Sequence, residues 1–186
     1  MGALFKIGDR IRTGIEGVAF GGDGVARISN MIVFVPFTTD GDEAEVEIIG
    51  IRKRYARGRL VRIVAPSRHR VPPVCPDYTG CGGCRMQHIH CGRQLELKRR
   101  QVEEAFKRIA GMPLPPVLPV IPSPRSLGWR GKAEFHLAGG RGGPRRTGLM
   151  ALASHELIEV ERCGIVEESI NRKYRAFRDA LQSGEI

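Results

Sequence analysis

Residues 31–51 read MIVFVPFTTDGDEAEVEIIGI, and this stretch decides the fold of the N-terminal part of the chain. Its two ends, 31–35 and 43–51, are rich in β-branched residues, and the second partly alternates apolar with charged positions, as half-buried strands do. Between them, TTDGD at 38–42 has the composition of a turn. The stretch therefore predicts two strands joined by a turn.

The same pattern extends to both sides of this stretch. RLVRIVA at 59–65 predicts a further strand, and GGDG at 21–24 and SN at 29–30 have turn composition. Four or five short antiparallel strands in about sixty residues indicate an OB-like β-barrel, a shape that often carries a basic nucleic-acid face. An SH3-like barrel without a ligand is the alternative. The basic run IRKRYARGRLVR at 51–62 favours nucleic-acid binding.

The charge of the chain points to a polyanionic partner. Lys and Arg number 30 against 20 Asp and Glu, a formal net charge of +10, and residues 125–146 carry six basic residues against one acidic. Each phosphate contact by Lys or Arg releases condensed counterions, so such a balance favours nucleic acid. A charge that serves only solubility is the alternative, and charge cannot distinguish RNA from DNA.

No segment predicts a membrane helix or a secretory signal. The longest apolar stretch, 31–37, is far shorter than the roughly 20 residues that span a bilayer. The N-terminus lacks a long apolar core behind a basic start. We therefore expect a cytoplasmic protein without membrane contact.

Four of the five cysteines lie in CPDYTGCGGCRMQHIHC at 75–91, and the fifth is Cys163. An odd cysteine count without a signal peptide argues against a disulfide scaffold. Zinc ribbons usually pair two CxxC knuckles, whereas this chain has only Cys81 and Cys84. An iron-sulfur cluster prefers several thiolates on a tight loop plus one from elsewhere, which this spacing resembles. A structural zinc site stays the weaker alternative.

The rest of the chain predicts an α+β arrangement. Residues 94–110 have the pattern of an amphipathic helix, and the prolines of 112–124 indicate an extended linker. WRGKAEFHLA at 129–138 and RTGLMALASHELIEVER at 146–162 predict a small antiparallel sheet across the loop GGRGGPRR at 139–146. A last helix follows. The predicted helical faces comprise Leu95, Val102, Phe106 and Ile109 in the first helix, and Ile170, Tyr174, Phe177 and Leu181 in the last.

The run CPDYTGCGGCRMQHIHCGRQLELKRRQVEEAFKRI at 75–109 resembles the cluster-binding region of the bacterial RNA uracil-C5-methyltransferases, the ribosomal-RNA 5-methyluridine enzymes. GGDGVARISNMIVFVPFTTDGDEAEVEI at 21–48 is similar to the TRAM domain of that family, an OB-like RNA-binding barrel. WRGKAEFH at 129–136 resembles the family's Tyr-Arg-Asn-Lys segment. GLMALASHELIEVERC at 148–163 resembles the stretch that delivers the fourth cluster cysteine.

The resemblance implies a 4Fe-4S cluster and selects among the thiols. Cys91 falls where family members commonly have another residue, so we expect it to be a small packing residue. His88 and His90 are expected to be structural or surface residues, because nearby thiolates fill the local ligand positions. The implied cluster ligands are Cys75, Cys81, Cys84 and Cys163.

The resemblance also implies an organisation and a function. The implied parts are a TRAM-like barrel at 1–66, a linker and cysteine loop at 67–93, and a central α+β region at 94–186. Family enzymes continue into a Rossmann-like domain that binds S-adenosylmethionine and supplies a nucleophilic cysteine, and we find no such domain in this sequence. The chain is thus interpreted as the RNA-binding, cluster-bearing N-terminal part of an RNA (uracil-5-)-methyltransferase acting on ribosomal RNA.

Several consequences stay open at this point. S-adenosylmethionine is expected only if a downstream or separately encoded methyltransferase domain exists, so we expect no methyl transfer by this chain alone. The alternative function is a stand-alone RNA-binding iron-sulfur protein. Trp129 and Gly131 depart from the family's Tyr and Asn, and Trp129 and Phe135 are interpreted as core residues rather than base-stacking ones. The predicted RNA-binding residues are Arg130, Lys132, Arg145 and Arg146.

Overall fold

The computed structural model describes residues 5–111, 113, 115–139 and 145–186. The chain forms two compact units, the first from Met1–Pro72 and Arg85–Ile121 and the second from Pro73–Cys84 and Pro122–Ile186. These units are interleaved along the chain, whereas the predicted division into 1–66, 67–93 and 94–186 is sequential. Most of the predicted loop at 139–146 lies outside the described residues.

The first unit contains a six-stranded sheet in the order β1-β5-β6-β4-β3-β2, in which β4 and β6 are parallel and the other pairs antiparallel. The two outer strands of this order, β1 and β2, are separated in the chain only by Ile15 and Glu16, so the sheet curls into a barrel. Its strands are β1 Arg10–Gly14, β2 Gly17–Val18, β3 Gly24–Ile28, β4 Met31–Val35, β5 Glu43–Ile51 and β6 Tyr55–Ala65.

Strand β5 alternates charged and apolar residues, so one set faces outward and the other faces the core of the barrel. Ala44, Val46 and Ile48 point into the core, while the glutamates of β5 face outward and pair with arginines of β1 and β6 at 2.7–2.9 Å. Two arginines of the predicted nucleic-acid-binding run, Arg59 and Arg62, therefore pair with glutamates on the barrel surface. The buried core comprises Phe5, Ile15, Ala26, Val33, Val35, Ala44, Val46, Ile48 and Ala56.

The turn at 38–42 is buried and binds the segment that follows β6. The Asp42 carboxylate, 1% exposed, accepts hydrogen bonds from the backbone N–H groups of Thr39 at 2.8 Å and Ser67 at 2.9 Å. It also accepts two bonds from the Arg70 guanidinium, at 2.7 and 3.1 Å. We call these four residues the Asp42 network. It joins the turn between two strands to the chain that leaves the barrel.

Helix α1, Cys91–Ala105, continues as a π-helical turn at Phe106–Ala110. The predicted helix at 94–110 is thus present with an earlier start. Arg93, 9% exposed, donates to Asp40 at 2.6 and 3.2 Å.

The apolar stripe predicted for this helix is not the face it buries. Leu97 is buried, but Val102 is 46% exposed and Ile109 is 87% exposed. The prediction of the packing face was wrong because the ion pair of Arg93 with Asp40 and the side-chain bonds of Gln101 to the barrel orient the helix differently.

The second unit contains a three-stranded antiparallel sheet and a helix. Gly148 lies opposite both His136 and Glu159, and a Cβ there would lie 2.0 Å from the carbonyl oxygen of Ile158, so only glycine fits. The predicted sheet is present with shorter strands. Its elements are β7 His136–Ala138, β8 Arg146–Met150, β9 Leu157–Glu159 and helix α2 Glu168–Ser183.

Helix α2 is fixed to the sheet by one aromatic side chain. The Tyr174 ring stacks on Phe135 with centroids 3.8 Å apart, and its hydroxyl lies 3.1 and 3.0 Å from the carbonyl oxygens of Thr147 and Val160. Of the predicted packing face, Tyr174 is buried, whereas Phe177 is 43% exposed.

Among the described residues, no helix is long and apolar enough to cross a membrane.

Candidate metal centre and basic surface

The cysteine loop at 75–84 is a series of tight turns within the second unit. The Tyr78 N–H donates to the Cys75 carbonyl at 3.2 Å, and the Cys81 N–H donates to the Asp77 carbonyl at 2.9 Å. Thr79 lies in the left-handed region at φ 81°, which a β-branched residue rarely adopts. Such strain persists only where the surroundings enforce it, so the loop is held in one shape.

The loop is anchored to the end of β8. The Gly82 N–H donates to the Met150 carbonyl at 2.9 Å, and the Leu152 N–H donates to the Gly80 carbonyl at 3.0 Å. A Cβ on Gly82 would lie 3.2 Å from the Ala151 carbonyl oxygen, tighter than ordinary contact. Glycine at this position therefore allows the loop to approach the sheet closely.

Cys163 is positioned by a buried asparagine of α2. The Asn171 side chain, 0% exposed, accepts from the Cys163 N–H at 3.0 Å and donates to the Cys163 carbonyl at 3.0 Å. Its amide also donates to the Val166 carbonyl at 3.2 Å. Sequence reasoning missed Asn171, because nothing in a helical pattern shows which residue ahead of the helix a side chain will contact.

The four predicted ligand cysteines all lie in the second unit, and electrostatic interactions connect them; we call Cys75, Cys81, Cys84 and Cys163 the cysteine group. Burial raises the pKa of the Cys75 thiol, and the nearby thiols of Cys163 and Cys81 raise it further. Burial likewise raises the pKa of Cys81, with further contributions from Cys163 and Cys84. Two separate segments of the chain thus place thiols within electrostatic reach of one another.

Backbone N–H groups point at two of these sulfurs. The Gly83 N–H donates to the Cys81 sulfur at 3.4 Å, and the backbone of Asp77 donates to the Cys75 sulfur. Both bonds lower the thiol pKa, opposing burial without outweighing it. N–H groups directed at sulfur stabilise thiolates and tune metal-sulfur centres.

The thiols are not packed around a single point. In the described part of the chain, no group of three or more His, Cys, Asp or Glu side chains could hold one metal ion. The cysteine group is therefore a looser arrangement than a mononuclear metal site.

Other residues near the cysteine motif are placed differently. Cys91 is exposed at the first position of α1 in the first unit, so the expectation of a packing role was wrong. His88 is 1% exposed, and burial lowers its pKa to about 4, while His90 is exposed. Neither histidine belongs to the unit that contains the cysteine group.

The predicted RNA-binding residues form two pairs on the second unit. Arg130 and Lys132 are exposed and line a cavity of about 540 Å³ with Trp129, which is 55% exposed and not the core residue predicted. Arg145 and Arg146 are exposed at the start of β8, where Arg146 pairs with Glu159 at 3.6 Å.

The strand register separates these pairs. Lys132 precedes β7, whereas Arg146 lies opposite Ala138 at the end of β7. A ligand that engages all four basic residues must therefore extend along the hairpin, as a nucleic-acid strand does.

Comparison with known proteins identifies the barrel. Residues 5–61 match the family model of the TRAM domain. A curated relative from Synechocystis sp., named an uncharacterized RNA methyltransferase, is 34% identical over 168 residues, covering 90% of this chain and 36% of the relative. A relative of the same description from Nostoc sp. is 37% identical over 164 residues, covering 88% and 36%. The chain thus spans little more than a third of the length of these relatives.

One solved structure has a similar fold. The Pyrococcus abyssi tRNA (uracil-54, C5)-methyltransferase in complex with S-adenosyl-L-homocysteine matches with a TM-score of 0.60 and 24% identity, over 94% of this chain and 37% of that chain. At this identity the likeness shows the fold alone.

Proposed function

We propose that this chain is the RNA-binding, 4Fe-4S-bearing N-terminal part of an S-adenosylmethionine-dependent RNA (uracil-5-)-methyltransferase that acts on ribosomal RNA in the cytoplasm. The TRAM domain and the names of the relatives support the RNA methyltransferase family. Because the chain spans 36% of those relatives, methyl transfer and S-adenosylmethionine binding are assigned to the whole protein.

The observation that carries the proposal is the assembly of the cysteine group. Cys163 is remote in sequence from the other three thiols, yet it acts electrostatically on both Cys75 and Cys81. Partly buried thiols with raised pKa values gain little from proximity unless a cation binds them, since a metal centre requires and stabilises thiolates. The arrangement therefore fits a metal centre better than a purely structural set of thiols.

The sequence spacing of the thiols favours a cluster over a zinc ion. Zinc ribbons usually pair two CxxC knuckles, whereas this chain has only Cys81 and Cys84. An iron-sulfur cluster takes several thiolates from a tight loop and one from elsewhere, which fits this loop and the remote Cys163. When bound, the cluster would cross-link the loop at 75–84 to Cys163.

Iron and sulfide analysis after anaerobic purification tests the cluster. We expect stoichiometric iron and acid-labile sulfide in the parent and their loss in Cys75→Ala, Cys81→Ala and Cys84→Ala. Cys91→Ala is the matched control, because Cys91 is exposed and lies in the other unit, and it should retain the full content. Zinc without acid-labile sulfide would contradict the cluster and support a structural zinc site.

The salt dependence of RNA affinity tests the basic surface. If Arg130, Lys132, Arg145 and Arg146 each contact one phosphate, replacing all four with Ala should lower the salt slope by roughly 3 on single strands. Arg59→Ala with Arg62→Ala is the control, because both guanidiniums already pair with glutamates. An unchanged salt slope in the fourfold variant would show that these four side chains are solvated and do not contact RNA.

An assay of methyl transfer distinguishes the N-terminal part of a methyltransferase from a stand-alone RNA-binding iron-sulfur protein. We expect the 186-residue chain to bind RNA without transferring a labelled methyl group to it, and to support transfer when a methyltransferase domain is supplied. Ribosomal and transfer RNA fragments compared as competitors test the proposed substrate. Transfer by the chain alone would contradict the assignment, and RNA binding that no domain converts into transfer would favour a stand-alone RNA-binding protein.

A further inference from the structure

The turn between β2 and β3 exposes a large aromatic side chain. Phe20 is 92% exposed, in contrast to the buried residues of the barrel core. Exposed aromatic side chains beside other apolar surface mark interaction sites, because water contact with them is unfavourable. The exposed ring of Phe20 is therefore a candidate contact for a ligand or partner.

The turn that carries Phe20 is held from both sides. The Ala19 N–H donates to the Asp23 carbonyl at 2.8 Å, and the Gly22 N–H donates to the Ala19 carbonyl at 3.0 Å. From α1, the Gln101 side-chain amide donates to the Ala19 carbonyl at 3.1 Å and the Val18 carbonyl at 3.4 Å. Asp23 also pairs with Arg85. The backbone on both sides of Phe20 is thus held in place, which lowers the entropic cost of ordering the turn on binding.

Phe20 borders a groove of about 730 Å³ within the first unit. Apolar side chains of the barrel, including Val25 and Phe34, line one side, and Leu97 and Ile109 of the helical segment line the other. The volume is in the range of sites for small organic ligands, about 300–1,000 Å³. Ile109, 87% exposed, lies on the π-helical turn, a type of irregularity frequent at functional sites.

The charged side chains that line the groove indicate which class of ligand it binds. Arg27 pairs with Glu16 at 3.8 Å and Arg108 pairs with Glu104, but within the described part of the chain Arg100 has no carboxylate at ion-pair distance. An apolar floor with an aromatic edge suits a base. The Arg100 guanidinium also acts electrostatically on Glu96, and it suits the adjoining phosphate because no ion pair among the described residues occupies it. The described residues of this unit contain 19 Lys and Arg against 11 Asp and Glu, which favours a polyanion over an apolar protein segment.

We propose that this groove binds one unstacked base of single-stranded RNA against Phe20, with Arg100 at the adjoining phosphate. The inference rests on the proposed function, since it specifies where the first unit contacts RNA. It adds a nucleotide site on the face formed by the turn at 19–23 and α1, separate in sequence from the basic residues of the second unit.

An oligoribonucleotide carrying 2-aminopurine tests the site, because stacking on an aromatic ring quenches the fluorescence of that base. Phe20→Ala should weaken binding by roughly 5- to 150-fold, the equivalent of the usual contribution of one stacked base, and should abolish the quenching. Phe20→Tyr retains a stacking face and should restore both. Arg100→Ala should lower the salt slope by about 0.7.

Ile7→Ala is the matched control, because Ile7 is a 70% exposed apolar residue that does not line the groove. If the parent binds RNA but Phe20→Ala binds it with unchanged affinity and quenching, the base site is overturned, while the proposed function stands, and a protein partner becomes the occupant to examine. If the parent does not bind RNA, both proposals fail.

Discussion

The Asp42 network and the cysteine group both withdraw ionisable side chains from water, Asp42 fully and the cysteines in part, but with opposite electrostatic results. Burial alone would raise the pKa of Asp42, yet hydrogen bonds from Arg70 and from the backbone of Ser67 and Thr39 outweigh it, and the pKa is lowered. For Cys75 and Cys81, burial and neighbouring thiols raise the pKa, and a single backbone bond to each sulfur does not compensate.

The difference separates a structural site from the proposed metal centre. The Asp42 network balances its charge with groups of the chain itself, so it is complete as a structural element. The raised pKa values of Cys75 and Cys81 favour neutral thiols, and the metal centre proposed above would require them as thiolates.

The largest expected effect is the loss of Asp42. Asp42→Ala leaves the Arg70 guanidinium, 21% exposed, and two backbone N–H groups without their acceptor, so we expect the free energy of unfolding of the first unit to fall by about 3–5 kcal/mol. Urea unfolding measures it. A loss below about 1 kcal/mol would show that water replaces the carboxylate and that the network contributes little to the stability of the first unit.

Unfolding at decreasing pH tests whether the buried His88 of the first unit stays unprotonated in the folded chain. The buried His88 has a pKa of about 4 in the folded chain, against about 6.5 when unfolded. Between these values the unfolded chain binds more protons, so the stability should fall as pH decreases from about 6.5 to 4, by about 3 kcal/mol in total. Unfolding free energies measured at intervals across this range check it. His88→Gln should remove most of the slope, and a slope that persists would assign it to another group.

Asn171 tests how far the second unit prepares the proposed metal centre. Asn171→Ala removes three hydrogen bonds, two of them to the Cys163 backbone, so we expect a loss of about 1–3 kcal/mol in stability. Cys163→Ala removes the ligand of one iron of the proposed cluster, so oxidation in air should leave a three-iron cluster with a paramagnetic signal. Asn171→Ala should lose iron faster than the parent and give the same signal, because Cys163 is held less firmly.

Tyr174→Phe is the matched control for Asn171, because it removes a buried hydroxyl of the same helix that contacts Thr147 and Val160 rather than Cys163. It should destabilise the unit without the three-iron signal. Equal iron loss in both variants would reduce Asn171 to a general structural role.

The raised thiol pKa values predict slow modification of the metal-free chain. Because the thiolate is the reactive form, iodoacetamide should alkylate Cys75 and Cys81 more slowly than the exposed Cys91 at neutral pH, and their rates should keep rising above the usual thiol pKa of about 8.5. Peptide mass spectrometry after timed quenching assigns the rates. Equal rates for all of them would mean that burial does not protect the cysteine group.

The smallest effect is expected at the outer face of the barrel. Glu45→Gln removes an ion pair with Arg62, whose side chain is 65% exposed, so the stability should change by only about 0.2–1 kcal/mol and less in high salt. Urea unfolding of Glu45→Gln and Asp42→Ala under the same conditions compares the two losses of stability. A loss as large as that of Asp42→Ala would contradict the distinction between exposed and buried pairs.

Local patterns in the sequence predicted the elements well where a single periodicity dominates. The strands at 31–35 and 43–51 are present as predicted, and the α+β arrangement with a barrel, a second small antiparallel sheet and a C-terminal helix is confirmed. Alternation succeeds in β5 because its inward and outward residues differ sharply in polarity.

The packing of side chains was predicted less well. Val102 of α1 and Ile109 of the π-helical turn are exposed, while Arg93 is buried, because its ion pair with Asp40 and the bonds of Gln101 to the barrel outweigh the hydrophobic pattern. Trp129 is exposed although large aromatic residues are usually buried. These outcomes depend on partners that lie far away in sequence.

Local sequence patterns were enough to predict the strands at 31–35 and 43–51, to select the thiols as candidate metal ligands and to show the basic character of the chain, because composition, spacing and periodicity are local properties. Only the tertiary structure decided that Asn171 positions Cys163, that Arg59 and Arg62 are paired, and that Phe20 borders an apolar groove. Each of these depends on the distance between segments remote along the chain, and that distance is set by packing and hydrogen bonding that no local pattern encodes.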